Sequence, residues 1–330
     1  MAKGKKGRGM QRWLLRLAGS AVLLGLLFWL LPWEAIVKGL SRVPPLLFAG
    51  VFVAFLLSHV AAAAKWWLIL GRPCAFPIAL RAHFGGLAAN LCLPGAVGGD
   101  AVRATMVHGA MRDAPRLAAG AVADRVIDTL ALALLSGFGV LMMGHGGVNL
   151  ALLLKAAGVL VLLAILLGGV VPAVLPRLWD LFPRLRGRSF ALEMRFAFGQ
   201  LARKPGFLLV VLVLSFLIQG VLVWLAYVLA LATGVAVAAG AWVFAWPLAK
   251  ILSILPISLG GLGLREATLA ALLVPFGAVA AEVVAAGLAW QAVLFLTGGL
   301  GALVVLLSRP RPGGGQKDIL AQDISGRVTE

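Results

Sequence analysis

Leu93-Pro94-Gly95-Ala96-Val97-Gly98-Gly99-Asp100-Ala101-Val102-Arg103 interrupts a long apolar stretch, residues 82–111. A proline, three glycines, an acid and an arginine stand here inside a membrane-like sequence. Such a stretch cannot be ordinary lipid-facing helix, because non-helical backbone at membrane depth survives only against protein or a water-filled cavity. Charge at that depth points to a functional site.

The surrounding composition agrees with a membrane setting. The chain is 62% hydrophobic and 12% charged, with a mean hydropathy of +1.03. A soluble domain is about half apolar and about a quarter charged. Long unbroken apolar runs favour helices over the short alternating segments of a barrel. The formal net charge is +17. The basic residues gather at the chain ends and between apolar runs, so membrane topology explains them and nucleic acid is not an expected partner. Cys74 and Cys92 lack metal-ligand spacing, and His59, His83, His108 and His145 are scattered. No disulfide framework, metal site or cofactor is expected, and the histidines read as packed or interfacial.

Working outward, residues 1–12 form a basic cytoplasmic N-terminus, followed by an uncleaved first span over 13–31. Residues 34–45 read as a short outside loop, and 46–70 as a second span whose end, Lys65-Trp66-Trp67, suits an interface. For Arg112 and Arg116 to stay inside with Arg72 and Arg81, the segment 82–111 must enter and return as a re-entrant hairpin of two half-helices. Residues 117–143 run outward, with Asp124, Arg125 and Asp128 near the inner end. A glycine-rich turn holding His145 follows, and 150–171 returns. Residues 172–206 are a basic cytoplasmic segment in which 189–202 reads as an amphipathic surface helix. Residues 207–231 run outward, 241–273 form a second broken segment, and 282–307 run inward to a disordered tail at 308–330.

The second break repeats the first. Leu255-Pro256-x-x-x-Gly260-Gly261-x-x-x-Arg265 matches Leu93-Pro94-x-x-x-Gly98-Gly99-x-x-x-Arg103 at identical spacing. Each break lies between full spans. The expected architecture is therefore an all-α polytopic membrane protein with about six full transmembrane helices and two re-entrant hairpins. One membrane domain covers 13–307. Repeat unit one, about 46–143, holds hairpin 82–111; unit two, about 207–307, holds hairpin 241–273. The two run in opposite senses, an inverted-topology repeat with both termini cytoplasmic.

In each motif the proline ends one half-helix. The Gly pair turns the backbone and leaves N–H groups accessible, and a second half-helix starts just after, with its partial positive charge facing the break. Arg103 and Arg265 then lie within its first turn or so, making an anion site suited to phosphate. Asp100 can cap the half-helix, bind Arg125 or accept from a substrate. Glu266 can cap or pair in the same way, and all these charges can instead pair with one another to hold the hairpin tips. Asp124 and Asp128 share a helix face. Arg125 either snorkels to the inner surface or joins them around Arg103. Lys250 is a further anion contact. Gln219 and Gln291 read as packing glue, and Trp242, Trp246 and Trp290 as interfacial or lipid-packing residues. No nucleophile–base pair or nucleotide loop is visible, so an enzyme is not expected.

Three ordered motifs carry a resemblance. Leu-Pro-Gly-x-x-Gly-Gly-Asp-x-x-Arg at 93–103, Ala-Asp-Arg-x-x-Asp at 123–128 and Pro-x-Ser-x-Gly-Gly-x-Gly-x-Arg-Glu at 256–266 resemble the lysylphosphatidylglycerol synthase transmembrane-region, or flippase-like, family over roughly 13–307. That family often has Glu where Asp124 stands. Its synthase members add a cytoplasmic aminoacyl-transferase domain, which is not expected here, so the synthase activity is not carried over. The resemblance implies lipid translocation in a bacterial inner membrane and includes Ser258 among the motif residues. Expected partners are lipids with anionic or polar head groups. Small-residue runs such as 61–64 would also allow a homo-oligomer, and lipid-biosynthesis enzymes are candidate partners. The competing expectations are a membrane enzyme or accessory subunit acting on polyprenyl-phosphate or glycolipid intermediates, and a scaffold for lipid synthesis.

Overall fold

The computed structural model describes residues 33–92, 96–143, 188–253 and 262–307. The expected spans at 13–31 and 150–171, the basic N-terminus, His145, Pro94, Ser258, Pro256, Gly260, Gly261 and the tail lie outside the described residues. Among the described residues every regular element is helical.

Among the described residues, four helices are long and apolar enough to cross a membrane: α2 (Pro45–Ile69), α5 (Ala114–Met143), α7 (Pro205–Thr233) and α10 (Ala280–Leu307). Their lengths of 25, 30, 29 and 28 residues exceed the about 20 residues that a bilayer requires. Proline opens α2 and α7 at a position where its missing N–H costs nothing. Exposed Leu57, Leu141, Leu209 and Trp224 give these helices an outward apolar face that hydrocarbon can solvate.

Four more helices are short. These are α3 (Phe76–Cys92), α4 (Ala96–Met111), α8 (Ala239–Leu252) and α9 (Leu264–Leu273), of 17, 16, 14 and 10 residues. The helix α6 (Arg188–Ala202) matches the amphipathic segment expected at 189–202. The expected loop at 34–45 is instead mostly helix, α1 (Trp33–Ser41). The reason is its spacing: Ile36 and Leu40 lie one turn apart and pack against Val284 and Ala285 of α10.

The core corrects the reading of three tryptophans. Trp242, Trp246 and Trp290 are buried, not interfacial. Trp242 stacks on Trp246 with centroids 5.3 Å apart, and Trp290 meets both Trp246 and Phe55 edge-on. The Trp242 indole N–H donates to the Val223 carbonyl at 3.2 Å.

Two helix crossings depend on glycine. At Gly139 of α5, an added Cβ would stand 2.7 Å from the Val243 carbonyl carbon of α8. Ser136 of α5 donates to the Phe244 carbonyl nearby, at 3.0 Å. At Gly301 of α10, an added Cβ would stand 3.0 Å from the Phe84 carbonyl carbon of α3. Without side chains there, the backbones approach closely enough for dispersion contacts to hold the helices in a solvent of lipid tails.

Candidate functional site

The crossing of α3 and α4 brings the first motif inward. A Cβ on Gly99 would lie 2.5 Å from the Gly86 carbonyl oxygen, so only glycine permits this approach. The structure corrects two expectations here. The helix begins at Ala96, before the glycine pair, so Gly98 and Gly99 lie inside its first turn and Arg103 about two turns in. The Gly99 N–H is not free either; Asn90 Oδ1 of α3 accepts it at 3.0 Å.

Arg103 is buried and holds the centre of a charge cluster. Its Nη2 lies 3.1 Å from Asp124 Oδ2 and 3.2 Å from Asp100 Oδ1. Asp100 Oδ2 accepts from Arg125 Nε at 2.8 Å. Of the alternatives open for Asp100, it therefore pairs with both arginines. Arg125 is tied into the cluster while its side chain remains 42% exposed. The Arg103 guanidinium also lies over the Trp66 ring, 4.2 Å from its centroid, a favourable placement for a desolvated cation.

Sequence reading missed Lys65. Placed at an interface by its position near the end of α2, it is instead buried. Its Nζ lies 3.1 Å from Asp124 Oδ1, pairs closely with Asp128 Oδ1 and donates to Ser215 Oγ of α7 at 3.2 Å. Ser215 in turn donates to Asp128. The two aspartates that share a face of α5 thus meet one lysine between them. A lysine facing two intramembrane carboxylates was the available signal, but pairing across helices is not encoded in spacing.

Two histidines extend the cluster. Nη1 of Arg103 lies 3.5 Å from Nδ1 of His83, and His83 Nε2 lies 3.0 Å from His59 Nδ1. Guanidinium can only donate, so His83 Nδ1 accepts, and its Nε2–H donates to His59. These histidines are members of the site rather than isolated packing residues.

The second motif builds a smaller, separate arrangement. Arg265 is the second residue of α9, within the first turn as expected. It pairs with Glu266 Oε1, and its Nη2 donates to the Gly287 carbonyl at 3.1 Å and to Gln291 Oε1 at 3.2 Å. Glu266 Oε2 accepts the Gly263 N–H at 2.7 Å, so Glu266 both caps and pairs. Gly263 has φ of +83°, a conformation suited to glycine. A Cβ on Gly287 would lie 2.6 Å from Glu266 Cγ, so that glycine makes the room. Gln219 also exceeds its role as packing glue, since its Oε1 accepts from Lys250 at 2.7 Å.

In the ion-paired cluster Lys65, Arg103 and Arg125 face Asp100, Asp124 and Asp128. Lys250 stands outside these ion pairs, and its side-chain hydrogen-bond partner is the neutral Gln219. Three buried donors have no acceptor among the described residues: Arg103 Nε, Trp66 Nε1 and Trp246 Nε1. Lys250 and the open donors suit an anionic group. Among the described residues no three His, Cys, Asp or Glu side chains gather as a metal set.

Known proteins supply the remaining frame. None of the curated proteins matches the chain. A family model described as the lysylphosphatidylglycerol synthase TM region does match, across residues 13–301. With apolar crossing helices and the resemblance of its motifs carried through most of its length, the chain belongs to the lysylphosphatidylglycerol synthase TM region family of membrane proteins.

Proposed function

We propose that this protein moves a lipid with an anionic or polar head group between the leaflets of a bacterial inner membrane. The head group passes between the two breaks, at 82–111 and 241–273, which act as re-entrant hairpins. The observation that carries this reading is Lys250, a cation whose side-chain partner among the described residues is the neutral Gln219. Uncompensated charge at membrane depth is costly, and a lipid phosphate would neutralise it. Family membership supports membrane lipid handling in general.

The inverted repeat belongs to the same proposal. The helices flanking each break are shorter than the about 20 residues needed to cross. The crossings are reciprocal. The last span of the first unit lies on the first short helix of the second, and the last span of the second lies on the first short helix of the first. Gly139 and Gly301, which mark these crossings, are separated by the same interval as Pro94 and Pro256.

We do not read the chain as an enzyme. Acid–base chemistry on a lipid-linked intermediate needs a carboxyl free to exchange a proton with substrate. Asp124, Asp128 and Glu266 are each tied to a cation.

Lys250→Gln tests the transport reading cleanly. Because Gln219 is its neutral partner, no carboxylate is stranded and the fold should survive. One charge-assisted contact is worth about 1.5–3 kcal/mol, so lipid scrambling in proteoliposomes should fall about ten- to hundredfold. Unchanged scrambling by the folded variant would sink this site.

A further inference from the structure

A groove lies away from the buried cluster, where α6 crosses the C-terminal end of α2 and the N-terminal ends of α5 and α7. Its volume is about 880 Å³. The walls are apolar, from Leu68, Ile69, Phe196, Leu201 and Phe207, with Arg116 and Lys204 on the same lining. Among the described residues neither cation has a carboxylate partner within 4.0 Å. Asp113 and Glu193 also line the groove. Asp113 Oδ1 is engaged by the Arg116 backbone N–H at 2.9 Å, as a cap on α5. Arg195 and Arg203 line an adjoining recess of about 360 Å³, so cations outnumber acids along this edge.

The exposed residues of α6 identify the surrounding medium. Phe190, Leu192 and Phe196 are exposed on a helix that also carries Arg195, and Leu192 and Phe196 are at the same time part of the groove lining. Aromatic and aliphatic groups interleaved with arginine place such a helix at the level of lipid head groups.

We infer that this groove binds one anionic phospholipid, with an acyl chain along the apolar wall and the phosphate held by Arg116 and Lys204. A free phosphate would leave the apolar wall unfilled. With Arg195 and Arg203 in the adjoining recess, cations outnumber acids along the edge, which favours an anionic over a zwitterionic head group. The site is separate from the translocation pathway proposed above and does not rest on it.

The test uses the full chain in phosphatidylcholine bilayers doped with photoactivatable phosphatidylglycerol or, in parallel, photoactivatable phosphatidylcholine. Cross-linked peptides are read by mass spectrometry. Phosphatidylglycerol should label α6 and the start of α7, with phosphatidylcholine labelling weak. Each basic contact to an anionic surface contributes about 1 kcal/mol, so Arg116→Gln with Lys204→Gln should cut labelling roughly thirtyfold. Arg116→Lys with Lys204→Arg should restore it. If the paired variant fails to fold, the exposed Lys204→Gln alone should lower labelling about fivefold. Equal labelling by the two lipids, or labelling indifferent to these substitutions, overturns the inference. So does exclusive cross-linking to other helices. No transport is measured, so failure here leaves the Lys250 result standing, and the reverse holds too.

Discussion

At the residue scale, Asp124 is the position on which most depends. One buried carboxylate faces Lys65 and Arg103, each at 3.1 Å. Removing its charge leaves Lys65 with Asp128 and Arg103 with Asp100, so each buried cation loses one of its two carboxylates. Asp124→Asn should therefore lose about 1.5–3 kcal/mol of stability, read as a lowered unfolding midpoint in detergent. Combined with Lys65→Met, the loss should be smaller than the sum of the two single losses, because both substitutions remove the same pair. If the double variant is less stable than the sum of the singles, Lys65 and Asp124 do not share the interaction described. The role of Asp124 was legible from its place on a polar stripe with Asp128. That of Lys65 was not, because a lysine near a helix end has the same local sequence whether it snorkels outward or turns inward.

At the scale of elements, the bounds of the long spans were largely legible, since apolar length sets them directly. The expected 46–70 and 117–143 became Pro45–Ile69 and Ala114–Met143. The geometry just after Gly95 was not legible. Glycine pairs suggested a sharp turn with open N–H groups, yet Gly99 proved to be a helix-crossing residue against Gly86. The buried tryptophans were misread for a related reason. An indole suits both an interface and a core, and only the partners Tyr227, Phe55 and Trp290 decide between them. The glycine crossings allow an expectation about the elements themselves. Gly139→Val and Gly301→Val each force a branched side chain against backbone atoms. Overpacking of this kind costs about 1–3 kcal/mol. Both should lower the melting temperature measurably, whereas Gly137→Val, which meets open space, should not. Tolerance at Gly139 or Gly301 would show that α5–α8 or α10–α3 packing is looser than the glycines indicate.

At the scale of the whole molecule, the remaining question is which end faces which side. One end gathers Arg72, Arg81, Arg112, Arg116, Arg203 and Lys204. The other carries Glu34 and Lys38 on α1, together with Arg42, which is already paired with Glu282 at 3.2 Å. Basic loops stay on the cytoplasmic side during insertion, so the first end should lie inside. Phe276 then faces outside, because its turn adjoins the start of α10 and Glu282. Under the proposed inverted repeat, this orientation has α8 and α9 entering from outside and α3 and α4 entering from inside. Cysteine labelling in intact cells separates the alternatives, with Cys74 and Cys92 first replaced by serine. A membrane-impermeant thiol reagent should modify Phe276→Cys at once, and Arg112→Cys only after permeabilisation. Labelling of Arg112→Cys from outside would reverse the orientation. Labelling of both from the same side would dismantle the two-sided hairpin arrangement, because one pair of short helices would then have to cross the membrane completely.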